Sequence, residues 1–511
     1  FRDAKQLVRY RDFTEEMVQL ILDADGSLKA EHGTGRIMAP FVRRQFGDEL
    51  FEVMREIKRL IDPKGFLNPG VVLADEDTDY ATDLKVAETV EEEVDRCVEC
   101  GYCEPVCPSK DLTLTPRQRI VLRREIAAAE ANGDAKLAER LRQEYEYYGI
   151  DTCAVDGMCV TRCPVLINTG DLVRRLRAEN QDALGAAGWK FASKHWGAVD
   201  KVAGKALTVA KMLPFPVVRG ATDIGRKLFG DDMVPAYKKG LSAGGAPRVP
   251  HAEANPDIVF FPACVNAMFG GVDGEGKHDP VNATQAFIRL CERAGVKYRV
   301  PEGIDQMCCG TPWKSKGYTD GYSIMSDRVL KALWQATDGG RIPIVCDASS
   351  CTEGLEVMRA KVAAAVEHKI TQGLGAGEAD YAQLKLIDSV QFAADTLLPK
   401  LTVSAPLPSL ALHPTCSMTH LGVQPAFEKI ANAMSEQVYV PKNWGCCGYA
   451  GDRGMLHPEL TQSATRAETA ELNEHEFAAY ASSNRTCEQG MTEATGHTFQ
   501  NVLQLLERAT R

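Results

Sequence analysis

Apolar positions along the chain follow two different rhythms. In residues 251–511, short apolar runs alternate with longer helical stretches: "DIVFF" (257–261), "RIPIVC" (341–346) and "SLALH" (409–413). That alternation predicts buried strands separated by helices, an α/β arrangement. Residues 176–245 read as helical throughout, and residues 80–175 contain a polar helical insert, "TPRQRIVLRREIAAAE…LAERLRQEYEYY". Residues 1–75 mix helix and loop and end at "DPKGFLNPG", while the Gly/Pro-rich "GLSAGGAPRVP" (240–250) reads as a linker.

The α/β part is an internal repeat. "VFFPACVNAMFG" (259–270) matches "LALHPTCSMTHLG" (410–422) as P-x-C-x5-G, and "QMCCGTPWKSKG" (306–317) matches "NWGCCGYAGDRG" (443–454). "SSCTEGL" (349–355) matches "NRTCEQGM" (484–491) as C-x2-G, and a Val-Pro pair, Val300-Pro301 or Val440-Pro441, precedes each CC. A helix-like tail closes each copy, "LIDSVQFAADTLL" and "HTFQNVLQLLERA". The reading is two half-domains with one ancestor. Expected boundaries are 1–75, 80–175, 176–250, 251–401 and 402–511, in an α+β multidomain chain.

Composition narrows the function. A length of 511 residues allows three or four domains. A net charge of −11 argues against a general nucleic-acid binder. No apolar run approaches the ~18 residues of a membrane span, and no signal peptide is visible. Phe1 already lies inside a helix-like pattern, so a fragment or second half of a longer polypeptide is expected, in the cytoplasm. The seventeen cysteines are an odd number and cluster as C-x2-C or CC pairs, which favours metal over disulfides.

Cys97, Cys100, Cys103 and Cys107-Pro108 form C-x2-C-x2-C-x3-C-P. This tight spacing wraps thiolates around a [4Fe–4S] cube, whereas a zinc site uses two separated knuckles. A second stretch, "TCAVDGMCVTRCPV" (152–165), offers Cys153, Cys159 and Cys163-Pro164, with Asp156 where the middle Cys would stand. In two-cluster ferredoxins the fourth Cys crosses to the other cluster. Crossing would join Cys163 to Cys97, Cys100 and Cys103, and Cys107 to Cys153 and Cys159. Three readings of the second site compete: a [3Fe–4S] cluster on three thiolates, a [4Fe–4S] cluster with Asp156 as oxygen ligand to a labile corner, or an empty site. An empty site leaves Cys153, Cys159 and Pro164 unexplained. The intervening helices resemble the insert of ferredoxin-like subunits in respiratory dehydrogenases. The C-x5-C-x3-C-P spacing resembles the three-iron site of succinate dehydrogenase iron–sulfur subunits.

The repeats offer Cys264, Cys308, Cys309 and Cys351, then Cys416, Cys446, Cys447 and Cys487. Cys291 and Cys346 have no counterparts in the second copy. The pattern resembles the cysteine-rich CCG domain of heterodisulfide reductase subunits and of iron–sulfur lactate and glycerol-3-phosphate dehydrogenases. It departs from that family's closing C-x2-C, since Cys346 and Cys351 have four residues between them and Gly490 stands at the last position. Adjacent thiolates in a Gly-bounded turn can bridge irons, so a further iron–sulfur cluster is expected. The bland alternative is a set of buried or redox-active thiols.

"SLKAEHGTGR" (27–36) and "IKRLIDPKGFLNPG" (57–70) resemble the C-terminal end of FAD-linked oxidases of the vanillyl-alcohol-oxidase type, which include D-lactate, glycolate and D-2-hydroxyglutarate dehydrogenases. The resemblance places Glu31 and His32 at the substrate, His32 as the acceptor of the hydroxyl proton and Glu31 as a ligand to a divalent metal. It places Asn68, with Gly33 and Arg36 of the first motif, near the flavin. No Gly-rich phosphate loop is present, so an FAD-binding half, in the same or another polypeptide, must supply most of the FAD site.

From Lys190 to Lys227 eight Lys/Arg stand against two Asp, interleaved with Trp189, Trp196, Leu207, Met212, Leu213 and Phe215. Such a basic amphipathic segment suits an anionic membrane surface, on the inner face of the cell membrane, or an arm packed on acidic neighbours. Glu91-Glu92-Glu93 reads as a solvated face. The order of modules resembles fused iron–sulfur D-2-hydroxyacid dehydrogenases, with D-lactate the expected substrate and a quinone, cytochrome or other carrier the acceptor. The alternative is an electron-transfer module without substrate chemistry of its own.

Overall fold

The computed structural model describes residues 4–29, 33–74, 79–82, 84, 89–231, 234–238, 240–271, 281–371 and 380–511. The chain is α+β and divides into two compact units, 1–89 and 90–511. Unit one packs the helix Ala4–Asp23 and the turn Ala39–Phe41 around Val18, Leu28, Phe41, Tyr80 and Ala81, and the helix Val42–Ile61 follows that turn.

Unit two begins with the cysteine loops and the helical insert. Thr115 caps the helix Pro116–Ala131 through a box with Gln118, with Pro116 in the first turn. Asp134 then caps the helix Ala135–Tyr145, which widens into a π-helical turn, Glu146–Asp151. The acidic run differs from the solvated face expected. Glu91 is buried, accepts from Arg123 at 2.9 Å and also pairs with Arg175, and Arg175 binds Glu93 at 2.8 Å. The insert folds back over this segment, and two guanidiniums from separate helices meet there.

Three helices follow: Ala183–Lys194, Trp196–Met212 and Phe215–Phe229. The first two form an arm on the neighbouring domain. Trp313, fully buried, donates its indole N–H to the Trp189 carbonyl at 2.8 Å and packs edge-on to Trp189 and Trp196. Lys190 pairs with Asp320 at 2.7 Å and Lys201 with Asp305 at 3.2 Å. The third helix buries none of its residues. The 240–250 stretch, expected to be a linker, lies packed on the arm. A Cβ on Gly244 would stand 2.3 Å from the Gly204 carbonyl oxygen, so only glycine allows this approach.

Each repeat is a four-stranded parallel sheet. The first comprises β1 (Ile258–Phe261), β2 (Tyr298–Arg299), β3 (Ile344–Cys346) and β4 (Leu386–Asp388) in the order β2-β1-β3-β4. The second comprises β5 (Leu410–Leu412), β6 (Val438–Tyr439), β7 (Ala479–Ser482) and β8 (Phe499–Asn501) in the matching order β6-β5-β7-β8. The tails read as helical start as strands β4 and β8. Each edge strand is three residues long, too short for periodicity to announce. In both sheets the order in which strands are added reverses between the central strands, so ligands belong at the carboxyl ends of β1/β3 and β5/β7. The two copies meet at equivalent positions: Ser349 Oγ lies 3.2 Å from Ser483 Oγ, and Ser350 N donates to Asn484 Oδ1 at 3.2 Å.

Trp313→Ala is expected to cost about 3–5 kcal/mol, measured by denaturant unfolding, and to expose the arm to proteolysis. Lys190→Ala, at an exposed pair, should change stability by less than about 1 kcal/mol.

Candidate functional site: four groups of thiols

All seventeen cysteines are free, and sixteen of them fall into four groups; Cys291 stands apart in the core of the first repeat. Cys97, Cys100, Cys103 and Cys163 line one cavity. Cys107, Cys153, Asp156 and Cys159 line a second. The fourth cysteine of each motif thus stands in the other motif's cavity. Thr169, at the start of the helix Thr169–Glu179, lines both, so the positive end of that helix faces both thiol groups.

The two loops share one backbone. Glu99 and Gly101 have φ of 59° and 83°, and their counterparts Val155 and Gly157 have 53° and 74°. A β-branched residue at positive φ is strained, and Val155 adopts it nonetheless. Asp156 therefore occupies the backbone position that Cys100 holds in the first loop.

Buried guanidiniums hold these loops. Arg119, 1% exposed, donates Nε to the Gly149 carbonyl at 2.7 Å and Nη2 to Ser109 Oγ at 2.9 Å, with Nη1 3.7 Å from Cys107 Sγ. Arg124 binds Glu99 at 2.7 Å and the Cys97 carbonyl at 3.0 Å. Arg177 donates to the carbonyls of Ile150 (2.7 Å) and Cys153 (2.9 Å), and to that of Ser315 in the first repeat at 2.8 Å. Burial pushes the Cys103 thiol up to about 11 and Cys159 to about 12. Metal loading would therefore release protons and weaken as pH falls.

Asp156 faces two ways. Its Oδ2 is buried without a hydrogen-bond partner among the described residues, an orphaned oxygen of the kind an iron ligand leaves in the absence of its iron. Burial pushes the carboxyl up, and the Cys446 thiol of the second repeat, the Met158 amide and His420 pull against that. His420 also presses on Gly157: a Cβ there would lie 2.6 Å from its ring. Ala154 and Met158 pack with Cys446 and Leu460 in one small apolar cluster.

In the first repeat, thiols run in contact from Cys264 to Cys308 (3.5 Å), to Cys309, to Cys351 and to Cys346. Cys346 is a member that the spacing did not announce; its place at the end of β3 supplies it. In the second repeat Cys416 contacts Cys446, and Cys447 contacts Cys487. His413 joins them: its donor atom and those of Cys447 and Cys487 all lie within 4.8 Å of one another. Burial opposes charging of His413, yet the Glu468 carboxylate and Cys447 raise it to about 10. In both CC pairs neighbouring donors hold the second thiol, Cys309 or Cys447, low and the first high. The glycine that follows each pair is obligatory at Gly310, where φ is 80° and a Cβ would meet Tyr322 at 2.7 Å. Five donors at each switch point, none in a disulfide, fit a polynuclear metal centre.

In unit one, Glu31 and His32 lie outside the described residues. The motifs around them come together: Val72 N donates to the Gly35 carbonyl at 3.1 Å, joining the Gly33–Arg36 turn to the end of the "LNPG" turn. Asp62 builds that turn by accepting from Phe66 N (2.9 Å), Leu67 N (2.7 Å) and Lys58 (2.6 Å). Asn68, at φ 44°, and Arg36 are exposed. The helix Val42–Ile61 is kinked at Gly47, and beyond the kink Leu50, Val53, Ile57 and Leu60 form an apolar stripe between 52% and 82% exposed.

Residues 1–72 match the family of FAD linked oxidases, C-terminal domain; residues 93–167 match the 4Fe-4S dicluster domain; residues 258–356 and 410–492 match the cysteine-rich domain. A probable mitochondrial D-lactate dehydrogenase of Danio rerio is 35% identical over 71 residues, 14% of this chain and 14% of that protein. D-2-hydroxyglutarate dehydrogenase of Escherichia coli is 24% identical over 226 residues, 34% of this chain and 22% of that protein. Lactate utilization protein A of Oceanobacillus iheyensis is 24% identical over 227 residues, 42% of this chain and 80% of that protein. The chain thus spans less than a quarter of the two dehydrogenases.

An oxygen ligand at Asp156 predicts that Asp156→Ala loses about one iron per chain and gains the EPR signal of an oxidised three-iron cluster. Asp156→Cys should retain the full iron content. An unaltered spectrum in both variants would assign the site to the three-iron form.

Proposed function

From a chain that joins the end of an FAD-linked oxidase to a 4Fe-4S dicluster domain and a duplicated cysteine-rich domain, we propose an iron–sulfur flavoprotein dehydrogenase that oxidises a D-2-hydroxyacid, D-lactate to pyruvate. Bound FAD supplies hydride acceptance, and iron–sulfur centres supply one-electron transfer to a quinone, cytochrome or other carrier. Cys97, Cys100, Cys103 and Cys163 hold a [4Fe–4S] cluster, and Cys107, Cys153 and Cys159, with Asp156, hold the second. The cysteines of the two repeats hold further iron–sulfur centres.

The observation that carries this reading is the Asp156–Cys446 contact. It joins the second dicluster cavity to the second repeat, so the thiol groups form a series rather than isolated structural sites. At the other end, His32 takes the hydroxyl proton, Glu31 orients the hydroxyacid through a divalent cation, and Gly33, Arg36 and Asn68 border the flavin. The exposed stripe Leu50–Leu60 supports an FAD-binding half, of this or another polypeptide, as the partner that covers it: isolated apolar side chains are common on surfaces, but an aligned row marks an interface.

We also infer peripheral contact with an anionic membrane, confined to the helix Phe215–Phe229. Val217, Ile224 and Leu228 recur on one face and are 60%, 62% and 72% exposed, and Lys227 and Phe229 in the last turn are exposed too. That combination suits a helix lying in a lipid interface on the cytoplasmic side. Among the described residues, no helix is long and apolar enough to cross a membrane.

With its FAD-binding half present, the protein should show flavin bleaching by D-lactate in an anaerobic panel of D-2-hydroxyacids, and His32→Ala should slow it about 10²–10⁴-fold. Bleaching by another member alone would reassign the substrate. Bleaching by none would leave an electron-transfer module, the reading favoured by the 80% coverage of lactate utilization protein A.

The chain should sediment with vesicles containing phosphatidylserine, less so at high salt, and Leu228→Glu with Phe229→Glu should abolish this. Equal recovery without vesicles, or binding unchanged in the double variant, overturns the membrane assignment.

A further inference from the structure

Among the differences between the two repeats, one pair of neighbouring positions exchanges one kind of donor for another. Aligned on Pro262 and Pro414, His413 stands where repeat one has Phe261. Aligned on Cys351 and Cys487, Ser482 stands where repeat one has Cys346. Phe261 and Cys346 are cross-strand partners in β1 and β3. In repeat two, Leu412 pairs with Ala481, and Ser482 Oγ donates to the His413 carbonyl at 3.0 Å, so His413 and Ser482 form the next rung. The fifth donor thus moves from one central strand to the other yet stays at the switch point. Its chemistry changes from thiol to imidazole.

His413 is built as a ligand. The ring is fully buried, and Nδ1 lies 2.8 Å from Glu468 Oε1, itself on a residue 2% exposed. Nε2 is buried with no oxygen or nitrogen partner among the described residues, and the ring's other side-chain neighbour is the Cys447 thiol. A purely structural buried histidine satisfies both nitrogens. A metal-ligating one gives one nitrogen to a carboxylate and keeps the other for the metal. With Nδ1 engaged, Nε2 is the nitrogen left to face Cys447 and Cys487, and the three donors are close enough to share one centre.

We propose that His413 Nε2 ligates an iron–sulfur centre in the second repeat together with its cysteines, that Glu468 is the residue positioning this imidazole, and that the resulting mixed centre is more easily reduced than the all-thiolate centre of the first repeat. The inference rests on the reading of the repeats as metal centres. The order of potentials follows from charge: a neutral imidazole in place of a thiolate removes one negative charge from the ligand shell, which favours the reduced state, as when histidines replace cysteines in Rieske centres. Asp156 and His420 place this centre beside the second dicluster cavity.

The test uses the full chain reconstituted anaerobically with iron and sulfide, and reads iron content and EPR-monitored redox titration. His413→Ala should lose the iron of one centre while the dicluster signals persist. His413→Cys should keep the iron and move one midpoint downwards, leaving the others in place. Glu468→Gln should keep the iron and move that same midpoint upwards, since it removes the carboxylate charge beside the imidazole. If His413→Ala fails to fold, the other two variants carry the test. Unchanged iron and midpoints in all His413 variants, with iron lost from Cys447→Ala, would overturn the histidine ligand alone. Unchanged iron in Cys447→Ala and Cys487→Ala as well would overturn the metal reading of the repeat.

Discussion

The cysteine loops of unit two rest on guanidinium groups buried beneath them. A loop that cups a metal centre turns its carbonyls away from that centre and out of any helix or sheet, and buried carbonyls without partners are costly. Arg124 serves the first loop, and Arg119 and Arg177 serve the second and the turn before it. Each brings a positive charge under a group of thiols that must ionise to bind metal. Arg119, beside Cys107, offsets that negative charge within a site closed to water. Arg177 does more, since its second contact, to the Ser315 carbonyl, ties the dicluster to the first repeat.

Around that framework the repeats use ordinary α/β physics. Parallel sheets this small place their loops at the carboxyl ends of the central strands. Helix N-termini open there: Cys264 begins one helix and Cys416 its counterpart, while Cys351 and Cys487 lie in the first turn of two others. Thiolates are favoured at such ends by the helix dipole. The CC pair arrives from the far side on a turn made possible by the glycine after it. The same topology used twice yields two pockets of similar shape. The pockets differ in donors, because a single rung at the switch point holds Phe261 and Cys346 in one and His413 and Ser482 in the other.

The dicluster was legible because its ligands are close in sequence. Spacing of two or three residues confines thiols to one loop, so Cys97, Cys100 and Cys103 could be read as a set, and the crossing of Cys107 and Cys163 followed from the chemistry of paired clusters. The repeat and its CC pairs were legible for the same reason. Cys346, His413 and Arg119 were not. Cys346 and His413 sit at strand ends, at positions where a buried apolar residue would look the same in the apolar pattern. Arg119 belongs to a charge-rich helix, and the sequence does not say which of its arginines turn inward. The acidic run misled because charge alone does not say whether a partner from a distant helix will arrive, and Arg123 and Arg175 do arrive at Glu91.

By itself, then, the sequence determined which chemistry the chain can hold: thiols in metal-binding spacing, a duplicated α/β frame, and the two motifs of an FAD-linked oxidase end. Those properties are local, set by distances of a few residues along the backbone. Only the tertiary structure decided which groups meet: Asp156 with Cys446, Arg177 with Ser315, and His413 with Cys447, Cys487 and Glu468. These contacts join residues up to about three hundred positions apart. They exist because helices and sheets pack their apolar faces together, and that packing brings the polar ends of the elements to common points.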